Sequence, residues 1–232
     1  MTRLVSFAPG IHAVVVGASG GIGAGFVHLL RSDPAVASVT EWSRAAGLDL
    51  ESPASIASAI SGLTMSPDLV IVATGLLHGA GIAPEKSNAQ LDAAAMARAF
   101  AVNTIGPALL ARGLLPLMAK DRKTVFAALS ARVGSISDNR LGGWHSYRAS
   151  KAALNQLLRT MAIEQARRWP LQAVLALHPG TVDTGLSRPF QKGVPVLMNP
   201  AESAAHLLGV IDAVGPERSG QLIDWKGETI PY

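Results

Sequence analysis

The run Ile11-His12-Ala13-Val14-Val15-Val16 ends directly on Gly17-Ala18-Ser19-Gly20-Gly21-Ile22-Gly23, and no other junction limits the fold of this chain as tightly. A short, largely β-branched run stopped by glycine reads as a buried strand. Phe26, Leu29 and Leu30 follow at helical spacing, so a helix is expected over 22–31, stopped by Ser32-Asp33-Pro34. The glycines then fall in a strand-to-helix turn. Gly17 suits the tight turn, Gly21 the approach of backbone to a pyrophosphate, and Gly23 close helix–strand packing. The helix start offers free N–H groups and a positive dipole end to phosphate.

The remaining elements repeat the alternation. Strands are expected at 38–42, 68–73, 124–129, 171–177 and, last, 221–225. Helices are expected from Ser52-Pro53 through Ile60, over 91–118 with breaks near Asn103 and Pro107, over 145–169, and over 200–214. Alternating strands and helices make right-handed βαβ crossovers. The expected fold is therefore α/β, a single-domain, doubly wound Rossmann-type parallel sheet spanning 1–232, with helices on both faces. The irregular segments 74–90, 131–144 and 181–199 each follow a strand, at the carboxyl edge where open α/β sheets bind ligands.

Composition agrees. Hydrophobic residues make up 49% of the chain and aromatics only 5%, so small aliphatic side chains supply the core, as in a sheet covered on both faces. The charge of +4 is spread thinly, with no basic run longer than Arg122-Lys123 or Arg167-Arg168, which argues against nucleic acid as a partner. The absence of cysteine excludes disulfides and thiolate zinc sites and fits a cytoplasmic protein. No apolar run approaches the roughly 20 residues that cross a bilayer. The histidines His12, His28, His145, His178 and His206 show no ligand spacing, so no metal site is expected; His78 stands in a loop that faces the expected cleft.

The glycine spacing G-x-x-x-G-x-G differs from the usual G-x-G-x-x-G and resembles the short-chain dehydrogenase/reductase family. Tyr147-Arg148-Ala149-Ser150-Lys151 is similar to the family's Tyr-x-x-x-Lys, Val102-Asn103-Thr104-Ile105-Gly106 to its helix asparagine segment, Asp49-Leu50 to its adenine-contacting Asp-Val, and Pro179-Gly180-Thr181-Val182-Asp183-Thr184 to its Pro-Gly-x-x-x-Thr. The segments 144–155, 178–190 and 223–232 resemble its C-factor-like subgroup. The resemblance implies Tyr147, Lys151, Asn103 and Ser130 as the catalytic set, with Asn103 holding a water that links the lysine to solvent. For cofactor binding it implies Gly17, Ser19, Gly21, Ile22 and Gly23 at the phosphates and Ser43, Arg44, Asp49 and Leu50 at the adenosine end. Gly75, Tyr147, Lys151, Pro179, Gly180, Val182 and Thr184 complete that set.

The chemistry of the central pair follows from spacing. Tyr147 and Lys151 lie one helical turn apart on one face. A free tyrosine has a pKa of about 10, and a nearby ammonium is expected to lower it, giving a group that exchanges a proton with a carbonyl or alcohol oxygen. Two departures from the family stand out. Val72-Ala73-Thr74-Gly75 replaces Asn-Asn-Ala-Gly, so loop hydrogen bonds must be made differently. Counting three residues back from Gly134, the family's serine position is Ala131. Ser130 is adjacent on the strand and so points to the other face, and Ser135 or Ser137 are further substitutes. Ser43 and Arg44 favour the 2′-phosphate of NADP, while Glu41, 18 residues after Gly23, keeps NAD open. The leading expectation is hydride transfer between NADPH and a small carbonyl or alcohol. The alternative is a dinucleotide-binding signalling or sensor protein with little turnover. The apolar 96–118 and 147–169 segments predict a homodimer or homotetramer.

Overall fold

The computed structural model of the chain describes residues 4–79 and 81–232. The elements that build the sheet and its cover are β1 (Ile11–Val16), α1 (Gly21–Arg31), β2 (Val36–Trp42), α2 (Pro53–Ser61), β3 (Leu69–Val72), α3 (Ala93–Phe100), α4 (Gly106–Leu114), β4 (Thr124–Leu129), α5 (His145–Ala166) and β5 (Gln172–His178). They are followed by β6 (Thr181–Val182), β7 (Leu197–Met198), α6 (Pro200–Ala213), β8 (Leu222–Asp224) and β9 (Thr229–Ile230). One seven-stranded sheet runs β2-β1-β3-β4-β5-β8-β9, parallel from β2 to β8. The chain reverses its direction of winding between β1 and β3, and the crevice at such a switch point is where α/β sheets bind ligands.

The alternation of strand side chains divides the core in two. Ala13, Val15, Leu69, Ile71, Val125 and Ala127 pack with Phe26, Leu30, Leu207 and Ile211 of α1 and α6 on one face. Val14, Val16, Val70, Val72, Phe126 and Ala128 pack with Leu110, Leu114, Leu154 and Leu158 of α4 and α5 on the other. This is the expected doubly wound architecture.

Two expectations need correction. The sheet is not wholly parallel: β9 follows the strand taken as last and pairs antiparallel to β8. The hairpin is held by Asp224, whose carboxylate accepts from the N–H groups of Lys226 and Glu228 at 3.0 Å each, and a two-residue strand carries too little pattern to be read from sequence. Segment 181–199 also contains the small parallel pair β6–β7. The interruption of 91–118 expected near Asn103 and Pro107 is present as a change of helix type between α3 and α4. One helix runs Ala93–Leu117, with a π turn at Ala101–Ile105 just before Pro107, whose missing N–H cannot continue the ladder. Among the described residues this is the one helix long and apolar enough to cross a bilayer; its Leu110, Ala111 and Leu114 are fully buried against the sheet.

Candidate active site

The glycine turn takes the shape its spacing implies. Gly17 has φ +82°, and a Cβ on Gly23 would stand 2.0 Å from the Gly17 carbonyl oxygen. Gly23 thus serves the close helix–strand packing expected of it. The first turn of α1 has neither a side-chain cap nor an acidic residue, so its N–H groups face the cleft ready for an anion.

Two connected cavities extend from this turn. The first is lined by Gly17, Ser19, Ser43, Arg44, Asp49, Leu50, Gly75 and, beyond the sequence-based set, by Thr74, Leu76, Arg98 and Val102. Arg44 makes no ion pair among the described residues, whereas Glu41 is paired with Arg31 of α1. The register explains this: Glu41 is aligned with Val15, on the α1 face of the sheet, so its carboxylate is drawn away from the ribose position. The second cavity contains Gly21, Ile22, Thr74, Gly75, Ser130, Tyr147, Lys151, Pro179 and Thr184. Thr74, which stands where the family has alanine, lines both cavities, and its buried hydroxyl has no partner among the described residues. An uncapped helix start, a free arginine and an orphaned hydroxyl in one cleft fit a dinucleotide. Gly180 and Val182 lie further out, on a third cavity that shares Ile22, Ser130, Tyr147, Pro179 and Thr184.

Tyr147 and Lys151 are brought together on α5, with Lys151 Nζ 5.9 Å from the Tyr147 ring centre. Lys151 donates to the Leu129 carbonyl at 2.7 Å. Burial pushes Tyr147 up to about 12 and Lys151 down to about 7. The expectation that the lysine lowers the tyrosine pKa is therefore corrected for the protein without ligand. Desolvation disfavours both charged forms.

Asn103 is fully buried in the π turn. Its Oδ1 accepts from the Leu76 N–H at 2.7 Å, and its Nδ2 donates to the Leu76 carbonyl at 2.8 Å and to the Ser150 hydroxyl at 3.1 Å. It thereby supplies loop anchorage that Val72 and Ala73 cannot. Ser130 reaches the cleft wall, but its hydroxyl donates to Asn155 Oδ1 at 2.6 Å. Ala131 puts only a methyl group where the family has its serine. Ser135 is buried and accepts from the Asp138 N–H, outside the cavities around Tyr147. Asn155, eight residues after Tyr147 on the same helix face, was legible by spacing and overlooked. Trp144 and Phe190, which line the third cavity, and Glu85, which bonds Trp144 and Ser146, carry no local sequence signal because loops distant in the chain bring them together.

The profile of the short chain dehydrogenase family matches residues 45–194. The C-signal protein of Myxococcus xanthus is 37% identical over 143 residues, 61% of this chain and 81% of that protein. The 1-hydroxy-2-glutathionyl-2-methyl-3-butene dehydrogenase of Rhodococcus sp. (strain AD45) is 34% identical over 146 residues, 63% of this chain but only 62% of the relative's length. Among solved structures, an NADPH-bound carbonyl reductase from chicken fatty liver superposes with a TM-score of 0.78 at 23% identity, covering 98% of this chain and 96% of that one. The carbonyl reductase Sniffer of D. melanogaster gives 0.76 at 18% identity, over 97% and 100%. These structures share the fold, and with the profile match across most of its length, the chain belongs to the short-chain dehydrogenase family.

Proposed function

We propose that this protein is an NADP(H)-dependent oxidoreductase that interconverts a small carbonyl compound and its alcohol. One observation carries the reading: the glycine turn at Gly21, the orphaned Thr74 hydroxyl and the Tyr147–Lys151 pair line a single cavity. The unpaired Arg44 and the engagement of Glu41 with Arg31 support NADP over NAD, and the NADPH bound by the chicken carbonyl reductase is in keeping with it.

A nicotinamide, when bound, would supply the hydride. Tyr147, raised to about 12 by burial, is a phenol at neutral pH and gives its proton to the carbonyl oxygen in reduction. Lys151, anchored on the Leu129 carbonyl, restores positive charge beside the phenolate as it forms. Asn103 and Ser150 hold the loop and helix that flank the pair. In the same reading, the exposed Ile105 and Ile163 on the outer side of the helices around Asn103 and Tyr147 belong to a self-association surface, which light scattering at micromolar concentration tests.

The test is turnover of NADPH against a ketone and aldehyde panel, with Tyr147→Phe beside the unaltered protein. Activity should fall roughly 10²–10⁴-fold while NADPH affinity stays near its starting value. Turnover indifferent to Tyr147→Phe removes the acid–base role. A dinucleotide-binding sensor is the second reading. It is favoured by Ala131 and by the commitment of the Ser130 hydroxyl to Asn155, and tight NADPH binding without turnover on the panel would establish it.

A further inference from the structure

Above Tyr147 lies a set of contacts that proton transfer itself does not require. Gly142, Gly143 and Trp144 occupy the left-handed region in succession, with φ +63°, +65° and +53°. Glycine adopts it freely, but for tryptophan it is a strained state that its surroundings must enforce; Trp144 is the one such non-glycine residue among those described. The enforcing group is Glu85, 5% exposed, from the loop after β3. Its carbonyl accepts from the Trp144 N–H at 2.6 Å. Its carboxylate accepts from the Ser146 N–H at 3.2 Å and from the Ser146 hydroxyl. No side chain of Trp144 itself caps α5, so Glu85 serves as the cap from another loop, one residue before Tyr147. Burial pushes its carboxyl up, but the Ser146 hydrogen bonds prevail and hold it below the usual range.

This lock aims a ring. The Trp144 ring stands edge-to-face to Tyr147 at 6.2 Å and to Phe190 at 4.9 Å. Phe190 meets His78 at 5.7 Å, and His78 bonds the carbonyls of Gly185 and Leu186 at 3.0 and 3.1 Å. Three loops thus converge into one wall. The cavity beneath it is closed by Leu77, Val133, Val182 and Leu186. Among the described residues that line it, Arg132 is tied to Asp138 and Asp224, and burial pushes His178 down to about 4, so it is neutral at pH 7.

We propose that Glu85 is a positioning residue for substrate recognition: by locking Trp144 in its left-handed conformation, it sets an aromatic wall of Trp144 and Phe190 against which a neutral carbonyl compound with a flat apolar ring lies, its oxygen toward Tyr147. The inference rests on the acid–base reading of Tyr147 and specifies what that site takes.

The experiment compares an aryl aldehyde, its 4-carboxy derivative and a short aliphatic aldehyde on the full chain and on Trp144→Ala, Glu85→Ala and Glu85→Gln. Binding of an aryl ketone by calorimetry is measured in parallel. The unaltered protein should prefer the uncharged aryl compound. Trp144→Ala and Glu85→Ala should raise KM for it by about 3- to 10-fold, the value of one lost aromatic contact, with the loss falling on KM more than on kcat and on the aryl more than on the aliphatic substrate. Glu85→Gln keeps an acceptor for the Ser146 N–H and should recover most of the loss. Should Glu85→Ala fail to fold, Trp144→Ala and Glu85→Gln still decide. Preference for the carboxylated compound, or equal losses on aryl and aliphatic substrates, overturns the inference. Tyr147→Phe distinguishes the two failures: if its turnover survives, the acid–base reading falls, while aryl-ketone affinity across the Glu85 and Trp144 variants still judges the wall.

Discussion

Replacing Lys151 by methionine should make the protein more stable while abolishing its chemistry. Burial lowers the lysine from 10.5 to about 7, a difference of about 3.5 units, or roughly 5 kcal/mol at about 1.4 kcal/mol per unit. At pH 7 the folded lysine is about half protonated, so roughly 4 kcal/mol of this cost is felt. Methionine removes it but orphans the Leu129 carbonyl, which now accepts from Nζ at 2.7 Å; a buried unsatisfied acceptor costs about 1–3 kcal/mol. The net gain at pH 7 is about 1–3 kcal/mol, and for a chain of this size the melting temperature should rise by roughly 3–10 °C. The sign with pH is definite. Between about 7 and 10.5 the unfolded chain binds more protons at this site than the folded one, so the unaltered protein gains stability as pH rises. The methionine variant lacks that slope, and its advantage shrinks toward pH 10. Urea unfolding at pH 7, 8 and 9 reads both quantities. A variant less stable at pH 7, or one with an unchanged pH slope, would show that Lys151 is held charged and refute the reasoning. The expected gain in stability with loss of activity is the usual exchange at a strained site.

Four further outcomes are expected. Arg44→Ala should weaken NADPH binding and leave NADH binding nearly unchanged, measured by calorimetry; equal affinities for both nucleotides in the unaltered protein would return the choice to Glu41. Ser130→Ala should destabilise by about 1–3 kcal/mol through the orphaned Asn155 oxygen and cost less than tenfold in kcat; a hundredfold kcat loss at unchanged melting temperature would restore the hydroxyl to the substrate. Gly23→Ala puts a Cβ 2.0 Å from the Gly17 oxygen and should abolish nucleotide binding, read by fluorescence titration; retained NADPH affinity contradicts the tight turn. With Tyr147 raised to about 12 and Lys151 lowered to about 7, carbonyl reduction should fall from pH 7 to 10 as Lys151 loses the charge that supports the phenolate, and steady-state ketone-reduction rates that hold level over this range would contradict that role.

Much of this protein was written locally. The run into Gly17, the steric demands of Gly17 and Gly23, and the four-residue spacing of Tyr147 and Lys151 depend on near neighbours, so the fold class and the central pair were legible without coordinates. The continuous apolar run of β1, with helices expected on both faces, agrees with the two core faces that form. What stayed hidden depended on contacts between distant segments. The direction of the Tyr147 and Lys151 shifts is set by how deeply both are buried, which spacing does not encode. Ser130 looked available until Asn155 came within 2.6 Å of it, and Glu41 looked suited to a ribose until the register placed it opposite Arg31. Glu85 lies 61 residues from Ser146 along the chain yet bonds it directly. Helical and strand periodicities report only on residues within a few positions of one another. The pKa shifts, the orientation of hydroxyls and the aromatic wall arise where three loops meet, and only the tertiary structure brings them into contact.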